Sequence, residues 1–310
     1  QSAPEKFREA GVTNLIGQAS LFPAYSGFRP DSSSSAPRPD DENYGAWLEA
    51  VAEMWQAVAE LFPEITQWEM GNEFNTNTFF HPNGYQAIEG SLEEGVNGFT
   101  REEQVIVVTD YMYYAAKGIK AANPENIAVM PGLSPTNLNM KNVEYFIEDV
   151  YARTKSGEAP YGDTKSTDPD DYFGALCWHP YANKIDETWL EEQLAVYDVV
   201  IANGDEGKKV IFSELGFSDN GMDDVEDMQI EYTELVFEYC ENDLPFVESV
   251  LSFRLYECEY AATWGGREQT YFGFFREPTG DKGFSPKDKA YKLQEIYGGT
   301  GDLAKYETLA

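Results

Sequence analysis

The chain of 310 residues is poor in the side chains on which metal and redox sites are built. It holds two histidines, His81 and His179, and three cysteines, Cys177, Cys240 and Cys258. Two histidines come close to excluding a His-rich catalytic metal site. The cysteines make neither a metal-spaced pair nor a framework and allow one disulfide at most. Cys177 sits in an apolar run and reads as a buried thiol. Basic residues are scarce too: 22 against 55 acidic ones, a formal charge of −33. Such a chain repels phosphate backbones and anionic membranes, so nucleic acid is excluded as a partner and a neutral substrate fits. No apolar stretch approaches about 18 residues, so no membrane span is expected. No G-x-G-x-x-G loop follows any apolar run, which removes the support for a dinucleotide fold, and no cofactor or metal is expected. The sequence opens on Gln1 rather than Met, so nothing about a leader is read from its start. The excess acid reads first as solubility in a salty or extracellular setting, and secretion is the expectation. It also offers two candidate calcium sites, Asp168-Pro169-Asp170-Asp171 and Asp223-Asp224, neither with EF-hand spacing.

What is present is ample apolar material, 42% of residues, and a high aromatic share of 15% led by 20 tyrosines and 19 phenylalanines. Short β-rich runs alternate with long amphipathic ones. Strands are expected at 12–19, 65–70, 126–133, 172–179, 209–213 and 247–256. Helices are expected at 44–62, 101–122, 143–154, 188–203, 225–242 and 286–297. Trp47, Val51, Met54, Trp55, Val58 and Leu61 recur at helical spacing, and Asn123-Pro124 stops the helix at 101–122. Six strands each followed by a helix call for a parallel sheet covered by helices, and a (β/α)8 TIM barrel fits best. The connections leaving strands are long (20–43, 74–100, 257–285), and those entering strands are short. A barrel concentrates function in its strand-to-helix loops.

The expectation is therefore a single barrel domain over 1–310 in which only strands 3 to 8 are evident. Residues 4–10 read as the tail of a preceding helix, and the first two β/α units are expected upstream of Gln1. A shortened or processed chain, a second polypeptide completing the barrel, and an incomplete barrel all stay open.

Two of the strand-like runs end on glutamate. Trp68-Glu69-Met70-Gly71-Asn72-Glu73 follows Ile65, and Glu214 closes Val210-Ile211-Phe212-Ser213. A carboxylate at a buried strand end costs free energy to desolvate and adds nothing to a core. Two of them point to strand ends converging on a cleft, and paired carboxylates are the working parts of glycoside hydrolysis. Asn72 beside Glu73 can hydrogen-bond a substrate hydroxyl. The surroundings of Glu214, before Leu215-Gly216-Phe217, are partly dry and demand partners. His179 sits at a strand end, either in the substrate cleft or as a structural hydrogen bonder. Trp47, Trp55 and Trp189 lie on helical apolar stripes and read as core. Phe22, Tyr25, Phe79, Phe80 and Tyr271 lie in strand-to-helix loops, where glycan contact and loop packing are equal readings.

These residues resemble the clan A glycoside hydrolases, (β/α)8 enzymes with Asn-Glu at the end of strand four and Glu at the end of strand seven. Trp68-Glu69-Met70-Gly71-Asn72-Glu73-Phe74-Asn75 matches the first motif, and Val210-Ile211-Phe212-Ser213-Glu214-Leu215-Gly216-Phe217 the second. His179-Pro180-Tyr181 matches the clan's frequent His-x-Tyr. Counted back from the last strand, Glu73 falls on strand four and Glu214 on strand seven. The resemblance implies a retaining glycosidase acting on a β-linked oligo- or polysaccharide, with Glu73 as acid/base and Glu214 as nucleophile. It implies that Tyr181 donates to Glu214, that Asn72 binds the sugar 2-hydroxyl, and that Trp264 floors the first subsite. The arginine that supports the nucleophile from strand two has no counterpart here. A non-catalytic carbohydrate-binding barrel, or an inactive truncated glycosidase, is the alternative. Xylan, mannan, galactan and glucan all remain open as substrates.

Overall fold

The computed structural model of the protein describes residues 3–9, 11–24, 28–88, 95–220, 222, 225–261, 267–278 and 283–307. They fall into two compact units. The first comprises Gln1–His179 and Ala195–Ile211, the second Pro180–Leu194 and Phe212–Ala310.

In chain order the first unit holds α1 (Ala3–Glu9), β1 (Ile16–Gln18), β2 (Ser35–Ala36), α2 (Tyr44–Leu61), β3 (Gln67–Glu69) and β4 (His81–Pro82). It continues with β5 (Gln86–Ala87), β6 (Gly95–Val96), α3 (Arg101–Ala122), β7 (Ile127–Val129), α4 (Lys141–Lys155) and β8 (Ala175–Cys177). The latter part of α5 (Glu187–Ala202) and the start of β9 (Lys209–Leu215) also belong to it. Its main strands pair in parallel, Ile16 opposite Gln67, Gln67 opposite Ile127, Val129 opposite Ala175, and Ala175 opposite Lys209. Each strand thus pairs with the next main strand along the chain and is followed by a helix, the order of consecutive β/α barrel units.

Five of the six expected strands are shorter than the apolar runs suggested. The ladder breaks where the backbone cannot continue it. Pro131 has no N–H to donate, and Gly71 takes φ +129. Pairing resumes beyond each break, at the Asn72–Gly132 and Leu133–Trp178 bridges.

Successive strand residues face opposite ways. One face of the sheet gathers Val129, Ala175, Cys177 and Ile211, with Ile16 against them. On β3, Trp68 packs edge-on to Trp55 of α2. Gln67 and Glu69 therefore point the other way, and Glu69 is buried there at 2% exposure. Helix α2 carries the expected stripe, with Trp47, Val51 and Trp55 fully buried. It packs closely on α3 because Gly118 has no side chain: a Cβ there would stand 2.1 Å from the Ala52 carbonyl oxygen. Helix α3 begins at residue 101, as its capping box dictates. Thr100 accepts from the Glu103 N–H, and Glu103 accepts from the Thr100 N–H. Arg38 clamps the same carboxylate with two 2.7 Å bonds. Phe80 is buried and stacks on Phe74 at 4.4 Å, with Phe22 at 5.5 Å from Phe74, so loop packing explains Phe80.

Buried Asp110 of α3 accepts from the Tyr44 hydroxyl at 3.0 Å and from the Tyr161 N–H at 3.0 Å. Burial pushes its carboxyl up to about 6. A carboxyl raised in the folded state stabilises fully below its unfolded value of about 3.9, and that contribution is lost as pH rises through about 6. Asp110→Asn will flatten the thermal midpoint across this window, a difference on the order of 3 kcal/mol between its ends.

The second unit holds the start of α5, the end of β9, α6 (Glu226–Asn242), β10 (Val247–Ser252) and α7 (Asp288–Ile296). The Phe253 N–H donates to Leu215 O at 2.8 Å beside the β9–β10 pairing, and α6 packs on α7. Lys287, 1% exposed, is held by the carboxylates of Asp219 and Glu257. The acidic run of the first unit is likewise engaged with protein. Asp168 accepts from the Asp170 N–H, Asp170 binds Lys208 at 2.6 Å, and Asp171 accepts from Ser166 at 2.5 Å. Asp223 and Asp224 lie outside the described residues. Trp47, Trp55, Trp189 and Cys177 are buried as expected.

Candidate active site

In the first unit the site is assembled where β3, β7 and β8 end. The chain leaves β3 through Met70, which is fully buried, and turns at Gly71. Only glycine suits that position: φ is +129, and a Cβ would meet the Phe74 ring at 2.2 Å. Two residues on, Glu73 occupies the left-handed region at φ +52. Non-glycine residues enter it at a cost, and such strain gathers at functional sites. Here it is held from three sides. The Glu73 N–H donates to Gly132 O at 2.6 Å, and Glu73 O accepts from the Thr76 N–H at 2.9 Å and the Thr76 hydroxyl at 3.1 Å.

The Glu73 carboxylate, half-buried, stands 3.0 Å from His179 Nδ1. His179 has no exposed surface, and its N–H donates to Leu133 O at 2.9 Å. Gly132 makes room for the imidazole. A Cβ there would lie 2.2 Å from His179 Nε2 and 2.7 Å from Glu69 Oε1. Glu69 Oε1 in turn accepts from the Gly132 N–H at 3.1 Å. This cradle can pass or share a proton: an ionised Glu73 accepts from Nδ1–H, and a protonated one donates to a bare Nδ1. Asn72 accepts from Gln18 Nε2 through its Oδ1 at 3.1 Å. Its NH2 group has no partner among the described residues and remains a donor.

In the second unit Glu214 lies near the end of β9, half-buried. The Tyr181 hydroxyl donates to its Oε2 at 3.1 Å. Tyr181 is fixed edge-on to Phe272 and Phe253, with ring centres at 6.0 and 6.4 Å. Trp189 Nε1 donates to Pro180 O at 2.9 Å and anchors the turn that carries Tyr181. After Glu214, Gly216 permits a close backbone approach, because a Cβ would stand 2.4 Å from Phe253 O.

Of the residues singled out by sequence, the first unit brings Asn72, Glu73 and His179 together, and the second brings Tyr181 to Glu214. Trp264 and Tyr25 lie outside the described residues. Glu69, Gly132 and Gln18 were not singled out. Glu69 had a signal, a carboxylate inside an apolar strand one turn of alternation before the motif's end. Gly132 and Gln18 had none.

No protein-family model and no curated protein matches the chain. Solved structures do. A psychrophilic glycoside hydrolase family 10 endo-β-1,4-xylanase is similar at 13% identity and TM-score 0.51, over 81% of this chain and 68% of its own. A monomeric β-xylosidase from Caulobacter crescentus CB15 is similar at 14% and 0.51, over 83% and 47%. The agarase AgWH50C is similar at 13% and 0.53, over 96% and 45%. The chain thus spans about two thirds of the xylanase and under half of the other two. At these identities the likeness is one of fold. The structural neighbours are clan A glycoside hydrolases, and they single out no family within the clan.

Proposed function

We propose that the chain is a retaining glycoside hydrolase that cleaves a β-linked oligo- or polysaccharide by double displacement. The observation that carries the reading is Glu73, a carboxyl held in a strained backbone just past a sheet strand and set against a buried histidine. In this reading Glu73 protonates the glycosidic oxygen while Glu214 attacks the anomeric carbon. Glu73 then takes a proton from the water that releases the sugar from Glu214. The two steps ask opposite protonation states of the two glutamates. The Tyr181 hydroxyl favours an ionised Glu214 by donating to it. His179 lets Glu73 change state between the steps. Asn72 offers its NH2 group to a sugar hydroxyl, and Trp264 supplies an apolar floor. The xylanase, xylosidase and agarase among the fold neighbours favour a neutral β-glycan, in keeping with the acidic charge. Secretion and completion of the barrel by further β/α units belong to the same proposal.

Retention has a direct readout. Proton NMR of the first minutes of hydrolysis of a β-glycoside will show the β-anomer of the product before mutarotation. Initial appearance of the α-anomer would mean inversion. That outcome would require the two carboxyl groups about 6.5–9.5 Å apart rather than about 5–5.5 Å.

A further inference from the structure

One histidine and the serine run 32–35 take no part in the function above, and the first unit places them together. Strands β2 and β4 pair with Ser35 opposite His81. Ser32 Oγ stands 3.1 Å from His81 Nε2, and His81 Nδ1 stands 3.0 Å from the Pro82 carbonyl oxygen. A carbonyl oxygen only accepts, so Nδ1 carries the hydrogen and the neutral ring presents the Nε2 lone pair to Ser32. Ser35 donates its own hydrogen to Asp31 at 2.5 Å, so the single Ser32 hydrogen is shared between Ser35 Oγ at 2.9 Å and His81 Nε2 at 3.1 Å. The Asp31 carboxyl is held below its ordinary value by the Ser35 hydroxyl and the Gly84 N–H. Its negative charge lies where it stabilises an imidazolium. His81 is 7% exposed, and Tyr85 stacks on it at 4.8 Å. Ser32 itself faces solvent. A nucleophile on a base, the base oriented from its far side, is the arrangement of acyl-transfer sites. The next N–H, that of Ser33, makes no hydrogen bond among the described residues, and the residue after the nucleophile is a common oxyanion donor.

We propose that Ser32 and His81 form a second catalytic site that hydrolyses short-chain acyl esters of neutral alcohols. Ser32 Oγ attacks the ester carbonyl carbon while its proton passes to His81 Nε2. The tetrahedral intermediate expels the alcohol oxygen, which takes that proton, and leaves acyl-Ser32. Water then attacks the acyl carbon and gives a proton to Nε2. That proton returns to Ser32 Oγ as the carboxylic acid departs. The sum is ester plus water to acid plus alcohol. Neutral esters are specified because Asp31 and the overall charge of −33 repel anionic ones. The proposal is independent of the glycosidase reading, since it uses none of the same residues.

The test uses the whole protein, 4-nitrophenyl acetate and a fluorophosphonate probe. The expected result is that Ser32→Ala and His81→Gln each lower kcat/KM for the acetate at least about 100-fold, the lower range for loss of a general base. One fluorophosphonate adduct should map by peptide mass to Ser32, absent from Ser32→Ala and slowed in His81→Gln. Ser32 is exposed, so Ser32→Ala decides the matter if His81→Gln fails to fold. Equal acetate hydrolysis by wild type and Ser32→Ala, or an adduct on any other residue, overturns the proposal. So does a wild type without turnover whose Ser32→Ala variant merely melts lower, which would make the cluster a loop anchor.

Discussion

Glu214→Ala will hydrolyse aryl β-glycosides at least about 10⁴-fold more slowly than the wild type, a loss of more than about 5 kcal/mol of transition-state stabilisation. In the proposed mechanism no glycosyl-enzyme forms without that nucleophile. Sodium azide will restore turnover, because the anion fits the space vacated by the carboxylate and attacks the anomeric carbon from that side. The product of rescue will be the glycosyl azide of inverted configuration. The fold should survive the change. Glu214 is half-buried, and the Tyr181 hydroxyl it leaves behind loses its 3.1 Å bond to Oε2, on the order of 1–3 kcal/mol. Equal rates for wild type and variant, with matching thermal midpoints, would sink the assignment.

Glu73→Ala should split the kinetics by leaving group. For a substrate with a poor leaving group, kcat/KM will fall by about 10²–10⁴, the usual contribution of a positioned acid. For a dinitrophenyl glycoside, whose leaving group departs without a proton, kcat/KM will stay near the wild-type value while kcat falls. Glycosylation is then fast, and the glycosyl-enzyme waits for a water that no base activates. Azide will speed that second step and yield the azide of retained configuration, the opposite of the Glu214 case. A uniform loss over all leaving groups would instead assign Glu73 a binding role. The replacement also removes a side chain at φ +52, and alanine accepts that region no better, so stability should change little from the backbone term.

Part of the fold is legible in the sequence. Helix α3 spans Arg101–Ala122 as expected because Thr100 and Glu103 start it and Asn123-Pro124 ends it, all local signals. The two glutamates stand out as candidates because a carboxylate closing an apolar run has no place in a core. Strand lengths were overread, since apolarity marks what is buried and not where Pro131 or Gly71 breaks the ladder. The cradle around Glu73 was out of reach. Glu69 and Gly132 lie 63 residues apart, and His179 lies 106 from Glu73. Gly132 matters for the atom it lacks, which no local pattern reports. The Ser32–His81 contact spans 49 residues and rests on two-residue strands, too short to carry any periodicity.

The central claim is that Glu214 becomes covalently attached to the sugar. Incubation with 2-deoxy-2-fluoro β-glycosides bearing a dinitrophenyl leaving group, offered as xylosyl, glucosyl, galactosyl and mannosyl forms, traps that intermediate because the fluorine slows its breakdown. Intact mass followed by peptide mapping should find one added fluoroglycosyl group on Glu214, formed by the wild type and absent from Glu214→Ala. A label on a different residue, or hydrolysis of the parent glycosides by Glu214→Ala at the wild-type rate, would contradict the account.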